Sequence, residues 1–243
     1  MKILLLDIET APNSGWFWGL FKQNIAINQI NKPGYTLCYS AKWLHDDEVM
    51  FDSLEWSSMP AMLRRLWRML DEADVVVHYN GNKFDIPTLN KEFITNDLPP
   101  PSPYMNVDLY QIVRSTFKFA SNKLDFICQQ LGIGAKINHK GMELWYGCME
   151  GNPEDWEVME EYNRQDVALT EQLYHKLLPW IRSHPNHGLF TESDIPMCPN
   201  CGSMNVQRRG LAYTRVSAYQ RYYCKDCKHW SRGKTRVKGV DAR

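Results

Sequence analysis

At 243 residues, 44% of them hydrophobic and 23% charged, the chain is long enough to bury a sizeable core and has the balance of a water-soluble globular protein. No apolar run reaches the length of a membrane span and the first residues lack a secretory cleavage region. These features speak against a membrane partner and predict a cytoplasmic protein whose seven cysteines are reduced or metal-bound. The net charge of zero hides a division. Residues 1–197 carry 17 lysines and arginines against 26 acids, a net of −9, while residues 198–243 carry 11 against 2, a net of +9. A basic tail of this kind suits a polyanion, or else the acidic body itself.

The chain opens with Ile3–Leu6, a short continuous apolar run that suits a strand buried on both faces. It runs out into Asp7 and Glu9. Residues i and i+2 of an extended chain share one side, so the two carboxylates project together and repel unless a cation separates them. An ordinary strand fading into an acidic loop has the same letters, so the pair gains meaning only from acids found later. Residues 11–34 read as a long irregular segment. Trp16, Phe17 and Trp18 within it could stack on bases, but their expected place is folded onto the core.

Residues 35–44 and 48–53 read as strands joined by a turn at His45-Asp46-Asp47. Met59, Met62, Leu63, Leu66, Trp67 and Leu70 recur at helical spacing and predict an amphipathic helix over 59–72. A buried strand follows at 75–79, then a turn at Asn80-Gly81 and a helix from Phe84 onward. Asp85 falls near that helix's start, either as a cap or at the strand end where ligands gather in open α/β sheets. Pro99 to Pro103 form a stiff loop, and 108–117 and 123–131 read as short helices. Asn152-Pro153-Glu154-Asp155 combines a cap, a first-position proline and first-turn acids, predicting a long helix from there to Ile181. Tyr162 and Asp166, four residues apart, share one of its faces. Tyr162 could equally be a core tyrosine, and Asp166 could pair with Arg164 or another basic group.

Asp7, Glu9, Asp85 and Asp166, with Tyr162 one turn before the last, resemble the acid set of the DEDD 3′–5′ exonucleases of the ribonuclease-H-like fold. The tyrosine makes the likeness one to the DEDDy branch, and above all to the proofreading exonuclease domain of family B DNA polymerases. Asp7-Ile8-Glu9-Thr10, Asn80 to Asp85 and Tyr162 to Asp166 match that family's three motifs in order, over residues 1–180. The resemblance implies an α/β fold with a mixed sheet flanked by helices in an exonuclease domain over 1–190. It implies two Mg2+ or Mn2+ ions, with Asp7 bridging, Glu9 and Asp166 completing the nucleophile-side site, and Asp85 holding the second ion through water. It further implies that Tyr162 orients the attacking water, while Thr10, Asn80 and Phe84 contact the terminal nucleotide. The expected activity is hydrolysis of phosphodiester bonds at the 3′ end of DNA, single-stranded in preference. The motifs themselves do not separate DNA from RNA, and an endonuclease, a ribonuclease or a non-catalytic binding protein on the same fold remain rivals.

Cys198-x2-Cys201, 22 intervening residues and Cys224-x2-Cys227 have the spacing of structural zinc ligated by four thiolates. Strands at 206–209 and 213–223 between the pairs make a zinc ribbon over 197–243, a tail with too little core to fold without its metal. Cys38, Cys128 and Cys148 read as small buried hydrophobes. The tail is similar to the ribbons of some insertion-element transposases. Arg208, Arg209, Arg215 and Arg221 are its expected phosphate contacts, joined by Arg232, Lys234, Arg236 and Lys238, with Tyr219, Tyr222, Tyr223 and Trp230 as stacking surfaces. The rival reading is a ribbon that binds a replication or recombination protein.

Overall fold

The computed structural model describes residues 1–192 and 195–241, so the last two residues of the expected ribbon lie outside the described residues. Its centre is β1 (Ile3–Thr10), which pairs antiparallel with β4 (Thr36–Trp43) on one side and parallel with β6 (Val75–His78) on the other. With β5 (Met50–Ser53) and β7 (Met105–Asp108) outermost, the mixed sheet has the order β5-β4-β1-β6-β7. The period-two parity of β1 divides the core. Leu4, Leu6 and Ile8 face α1 (Met59–Glu72) and α2 (Asp85–Thr95), packing with Met62, Leu66 and Phe93. Ile3 and Leu5 face the other layer, among Val77, Ile127, Val167 and Leu173. Asp7 and Glu9 continue that second parity.

The second layer contains α3 (Leu109–Thr116), α4 (Leu124–Gln130), α5 (Met142–Glu150) and α6 (Pro153–Leu177). The N-terminus of α6 is built as its sequence predicts: the Asn152 side chain accepts from the Glu154 amide at 3.0 Å, ahead of Pro153. The helix stops at Leu177 rather than Ile181, because Pro179 ends the ladder and a short 3-10 turn takes over at Leu178–Trp180. The helix α5 has no counterpart in the sequence reading. It approaches α6 so closely that a Cβ on Gly147 would lie 1.7 Å from Asp155 Oδ2.

The expected core placement of Trp16, Phe17 and Trp18 is overturned. These residues sit on an exposed arm between β2 (Ser14–Gly15) and β3 (Ile30–Lys32), with Trp18 99% exposed and Leu20 and Phe21 also in solvent. The neck is closed by the Trp16 amide on the Gln29 carbonyl at 2.8 Å and by Gln29 Nε2 on the Trp16 carbonyl at 3.0 Å. Backbone pairing at the neck holds the aromatics away from the sheet.

The tail is a three-stranded antiparallel sheet, β8 (Val206–Tyr213), β9 (Ser217–Cys224) and β10 (Trp230–Gly239), with β9 in the middle. Its cysteine end abuts the close of α6. Asn200 Nδ2 donates to the carbonyls of Leu178 (2.8 Å) and Ile181 (2.7 Å), and His229 Nδ1 lies 3.1 Å from the Pro179 carbonyl. Carbonyls of the 3-10 turn that follows α6, and of Ile181 after it, thus find donors in the tail. Cys201 and Cys227 pack on the cluster that contains Leu173, Tyr174 and Leu178. No helix among the described residues is long and apolar enough to cross a membrane.

The close approach at Gly147 gives a direct test. Gly147→Ala forces α5 off α6 and should cost about 1–3 kcal/mol, read as a lowered midpoint in urea unfolding. An unchanged midpoint would mean that α5 does not pack as described.

Candidate functional site

Asp7 and Glu9, from the end of β1, meet Asp166 from the fourth turn of α6, and each offers an oxygen within 4.8 Å of the others. The three carboxylates converge because the parity of β1 and the face of α6 both point into the same layer. Asp85 stands just behind this trio. It is buried at the first position of α2, and its Oδ1 accepts from the Ile8 amide at 3.1 Å, between the two acids of β1. Its side chain therefore reaches across to the sheet rather than capping its own helix.

Charge of one sign dominates here. Burial, and then repulsion from Asp166, Asp85 and Glu9, holds Asp7 well above the ordinary aspartate range. Burial and Asp166 push Glu9 up to about 8, with Lys136 and a hydrogen bond from Trp145 pulling the other way. Burial raises Asp85 to about 7 against the Ile8 hydrogen bond. Asp166 is also raised, by burial, in spite of Lys136.

Two groups meet part of this charge. Lys136 Nζ forms an ion pair with Asp166 Oδ2 and donates to the Tyr162 hydroxyl at 2.9 Å. Burial opposes the lysine's charge, but Asp166 and Tyr162 outweigh it and hold Lys136 above its usual value. Asn163, wholly buried, donates from Nδ2 to Asp7 Oδ2 at 2.7 Å. Asp166 Oδ1 is left buried with no hydrogen-bond partner. An orphaned acceptor beside converging carboxylates of raised pKa is an oxygen set that fits a hard divalent cation.

Tyr162 is buried in edge-on contact with His139 (centroids 4.9 Å apart) and Trp145 (6.1 Å). Burial, Asp166 and Glu9 raise its phenol further above its ordinary value. A cavity of about 550 Å3 opens over Asp7, Asp166 and Lys136 and is bordered by Asn80, Tyr79 and Tyr110. Asn80 holds a left-handed backbone (φ 69°), pinned by its amide on Asp108 Oδ1 at 3.0 Å, and the next amide, Gly81, donates to His78 Nδ1 at 3.0 Å. Gly81 is required here, since a Cβ would meet the His78 ring at 2.5 Å. Phe84 is 45% exposed, and Thr10 lies at a register shift where β1 pairs with β4; neither borders the cavity.

The four cysteines of the tail also converge, with all their sulfurs within 4.8 Å. Cys198 and Cys227 sulfurs are 3.4 Å apart and those of Cys201 and Cys224 are 3.7 Å apart, close to the ~3.8 Å edge of a tetrahedron built on ~2.3 Å zinc–sulfur bonds. The two pairs form matching turns. The Gly202 amide donates to the Cys198 carbonyl at 2.9 Å and the Lys228 amide to the Cys224 carbonyl at 3.1 Å, with φ of 71° and 68° respectively. A thiol hydrogen bond from Cys198 lowers Cys201 to about 5, whereas Cys198 is raised and burial pushes Cys227 up to about 12. This donor set fits a structural zinc ion.

The expected ribbon cations divide. Arg209 stacks over Tyr223 at 5.1 Å and Arg221 over Trp230 at 4.9 Å, Arg221 Nε also donating to the Arg209 carbonyl at 2.9 Å. Arg215 lies in the β8–β9 turn, and Arg208 borders a separate cleft. Sequence reasoning missed Lys136, Asn163, Trp145, His78 and Asp108. Asn163 could have been found, since it is three residues before Asp166 on the same helix. Lys136 carries only the weak signal of a lone cation in the stretch 124–139.

Comparison with curated proteins finds no match. Among solved structures, the family B DNA polymerase from the hyperthermophilic archaeon Pyrobaculum calidifontis is similar, with a TM-score of 0.57 and 22% identity over 73% of this chain. The matched part spans 24% of the polymerase chain, and at that identity the likeness is one of fold. The RNase_H_2 family, described as RNase_H superfamily, matches residues 4–178, which contain β1, α2 and α6 with all four acids. With a mixed sheet of this order and a match over most of its length, the chain belongs to the RNase H superfamily.

Proposed function

We propose that this chain is a metal-dependent 3′–5′ exonuclease acting on DNA, single-stranded in preference, with its zinc ribbon as a nucleic-acid grip. The observation that carries the reading is the meeting of Asp7, Glu9 and Asp166 within 4.8 Å beneath an open cavity. A surface meant only to bind phosphates gains nothing from converging anions. The 3′–5′ direction rests on the order and spacing of the three motifs.

Asp7, Glu9 and Asp166 would hold one Mg2+ or Mn2+, and Asp85, set back behind them, would serve a second through water. Bound divalent ions supply charge stabilisation to a phosphoryl oxygen and lower the pKa of a nearby water. The chain's own groups do the rest. Tyr162, its phenol raised by burial and by Asp166, stays protonated at neutral pH and serves as a hydrogen-bond donor that orients water, not as a base. Lys136 keeps its charge and places a cation at the cavity beside the acids, where a substrate phosphate enters. Asn163 fixes the Asp7 carboxylate. Asn80, in its pinned turn, borders the cavity for the terminal nucleotide. Arg208, Arg209, Arg215 and Arg221 give the ribbon the charge to approach a polyanion that the body would repel.

Digestion of 5′-labelled single-stranded DNA, duplex DNA and RNA with Mg2+ or Mn2+ tests this reading. A ladder shortening from the 3′ end of DNA is expected; discrete internal products or faster loss of RNA would replace it with one of its rivals. Asp7→Asn should abolish cleavage, and near-wild-type turnover in that variant would sink the metal assignment. Tyr162→Phe should lower turnover roughly 10- to 1000-fold with little change in KM.

The same carboxylate has a stability signature. Its folded pKa is raised, so ionising it opposes folding at neutral pH in the absence of divalent ions. Asp7→Asn, which can still accept from Asn163, should therefore raise the metal-free Tm at pH 7. The gain should vanish below about pH 4, where the carboxyl is protonated in folded and unfolded chains alike. A gain that persisted in acid would point to packing instead.

A further inference from the structure

The ribbon sheet, Asn186 and the residues Pro196, Met197 and Pro199 enclose a cleft of about 460 Å3, inside the ~300–1,000 Å3 usual for small-ligand sites. Its floor crosses all three strands, for Arg208 of β8 lies opposite Tyr222 of β9, and Tyr222 opposite Ser231 of β10. Lys234 adds a second cation, and Asn186 and Met197 form the facing wall. Among the described residues no carboxylate borders the cleft, and neither Arg208 nor Lys234 is in an ion pair.

The arginines outside the cleft are engaged differently. Arg209 and Arg221 are stacked on Tyr223 and Trp230, residues of the opposite strand parity from Arg208 and Tyr222. Arg232, paired in register with Arg221, is likewise on that other face, its guanidinium over the Tyr219 ring at 4.5 Å. Gly233 sits beside Tyr222, where a Cβ would be 3.4 Å from ring atom Cε2, so a larger side chain would cover the ring.

We propose that this cleft is a second nucleic-acid site, holding one nucleotide of a single strand outside the catalytic cavity. Its flanking phosphates lie on Arg208 and Lys234, and Tyr222 lies against the base or sugar between them. The site rests on the reading of the ribbon as a nucleic-acid grip and narrows it: Arg208 and Lys234 bind the strand, whereas Arg209 and Arg221 build the sheet. A lone nucleotide fits between two walls only when no complementary strand sheathes it, so duplex is a poorer ligand.

The test uses the full-length Asp7→Asn protein without added divalent ions. The probes are thymidine 3′,5′-bisphosphate, followed by titration calorimetry, and a fluorescent oligothymidylate, followed by anisotropy. Arg208→Ala with Lys234→Ala should weaken both probes at least ~10-fold. Lys225→Ala with Lys228→Asn removes the same charge outside the cleft and should weaken them by about twofold or less. Gly233→Phe should block binding with no change of charge. Equal losses from the two double variants would overturn the site in favour of diffuse attraction. Absence of binding by either probe would overturn it in favour of a protein-binding ribbon. Cleavage by the wild-type enzyme is read separately, so a chain that cuts DNA with an empty cleft refutes this site alone, and one that fills the cleft without cutting refutes only the nuclease.

Discussion

Like charges gathered in a confined space are the constraint on which the rest of the structure depends. Three carboxylates within 4.8 Å, with a fourth behind them, are unfavourable wherever water is partly excluded. Each neighbouring element supplies something against that repulsion. The 132–141 loop brings Lys136 to Asp166, α6 turns Asn163 toward Asp7, and β1 offers the Ile8 amide to Asp85. These partners do not cancel the charge, since Asp166 Oδ1 has none and the carboxyl pKa values stay raised. The fold thus keeps a standing demand for positive charge at one point. Such a demand is a cost in the metal-free chain and a source of affinity for a cation.

What was legible in the sequence was local. The parity of Ile3 to Glu9 gave both the layered core and the side on which two acids emerge. The cap at Asn152 and the spacing of Tyr162 and Asp166 gave α6 and its inward face. That β1 and α6 meet was not contained in any periodicity and came from likeness to a family. Elements without a repeating apolar pattern escaped. The strand β10 is polar along both faces, and Lys136 sits in a loop with neither helix nor strand period. The Trp16–Phe21 arm misled because aromatic content suggests burial, whereas a backbone neck at Gln29 decides where the segment projects.

The ribbon and the body are close neighbours in the folded chain. Asn200 and His229 supply donors to carbonyls at the close of α6, the helix whose middle carries Tyr162 and Asp166. A helix end satisfied from outside is held only as firmly as its partner is folded. In the ribbon that firmness depends on four sulfurs rather than on an apolar core.

This has a practical consequence for the reagent chemistry of the protein. On the proposed function the chain holds two kinds of metal site, and EDTA, added to empty the carboxylates, competes for an ion on the four thiolates as well. Where the thiolate-bound ion is lost, the turn that follows the longest helix would lose the Asn200 and His229 donors with it. Inactivation by EDTA and rescue by Mg2+ are therefore two different experiments on this protein. A buffer with trace Zn2+ held constant by a zinc-selective ligand would separate them.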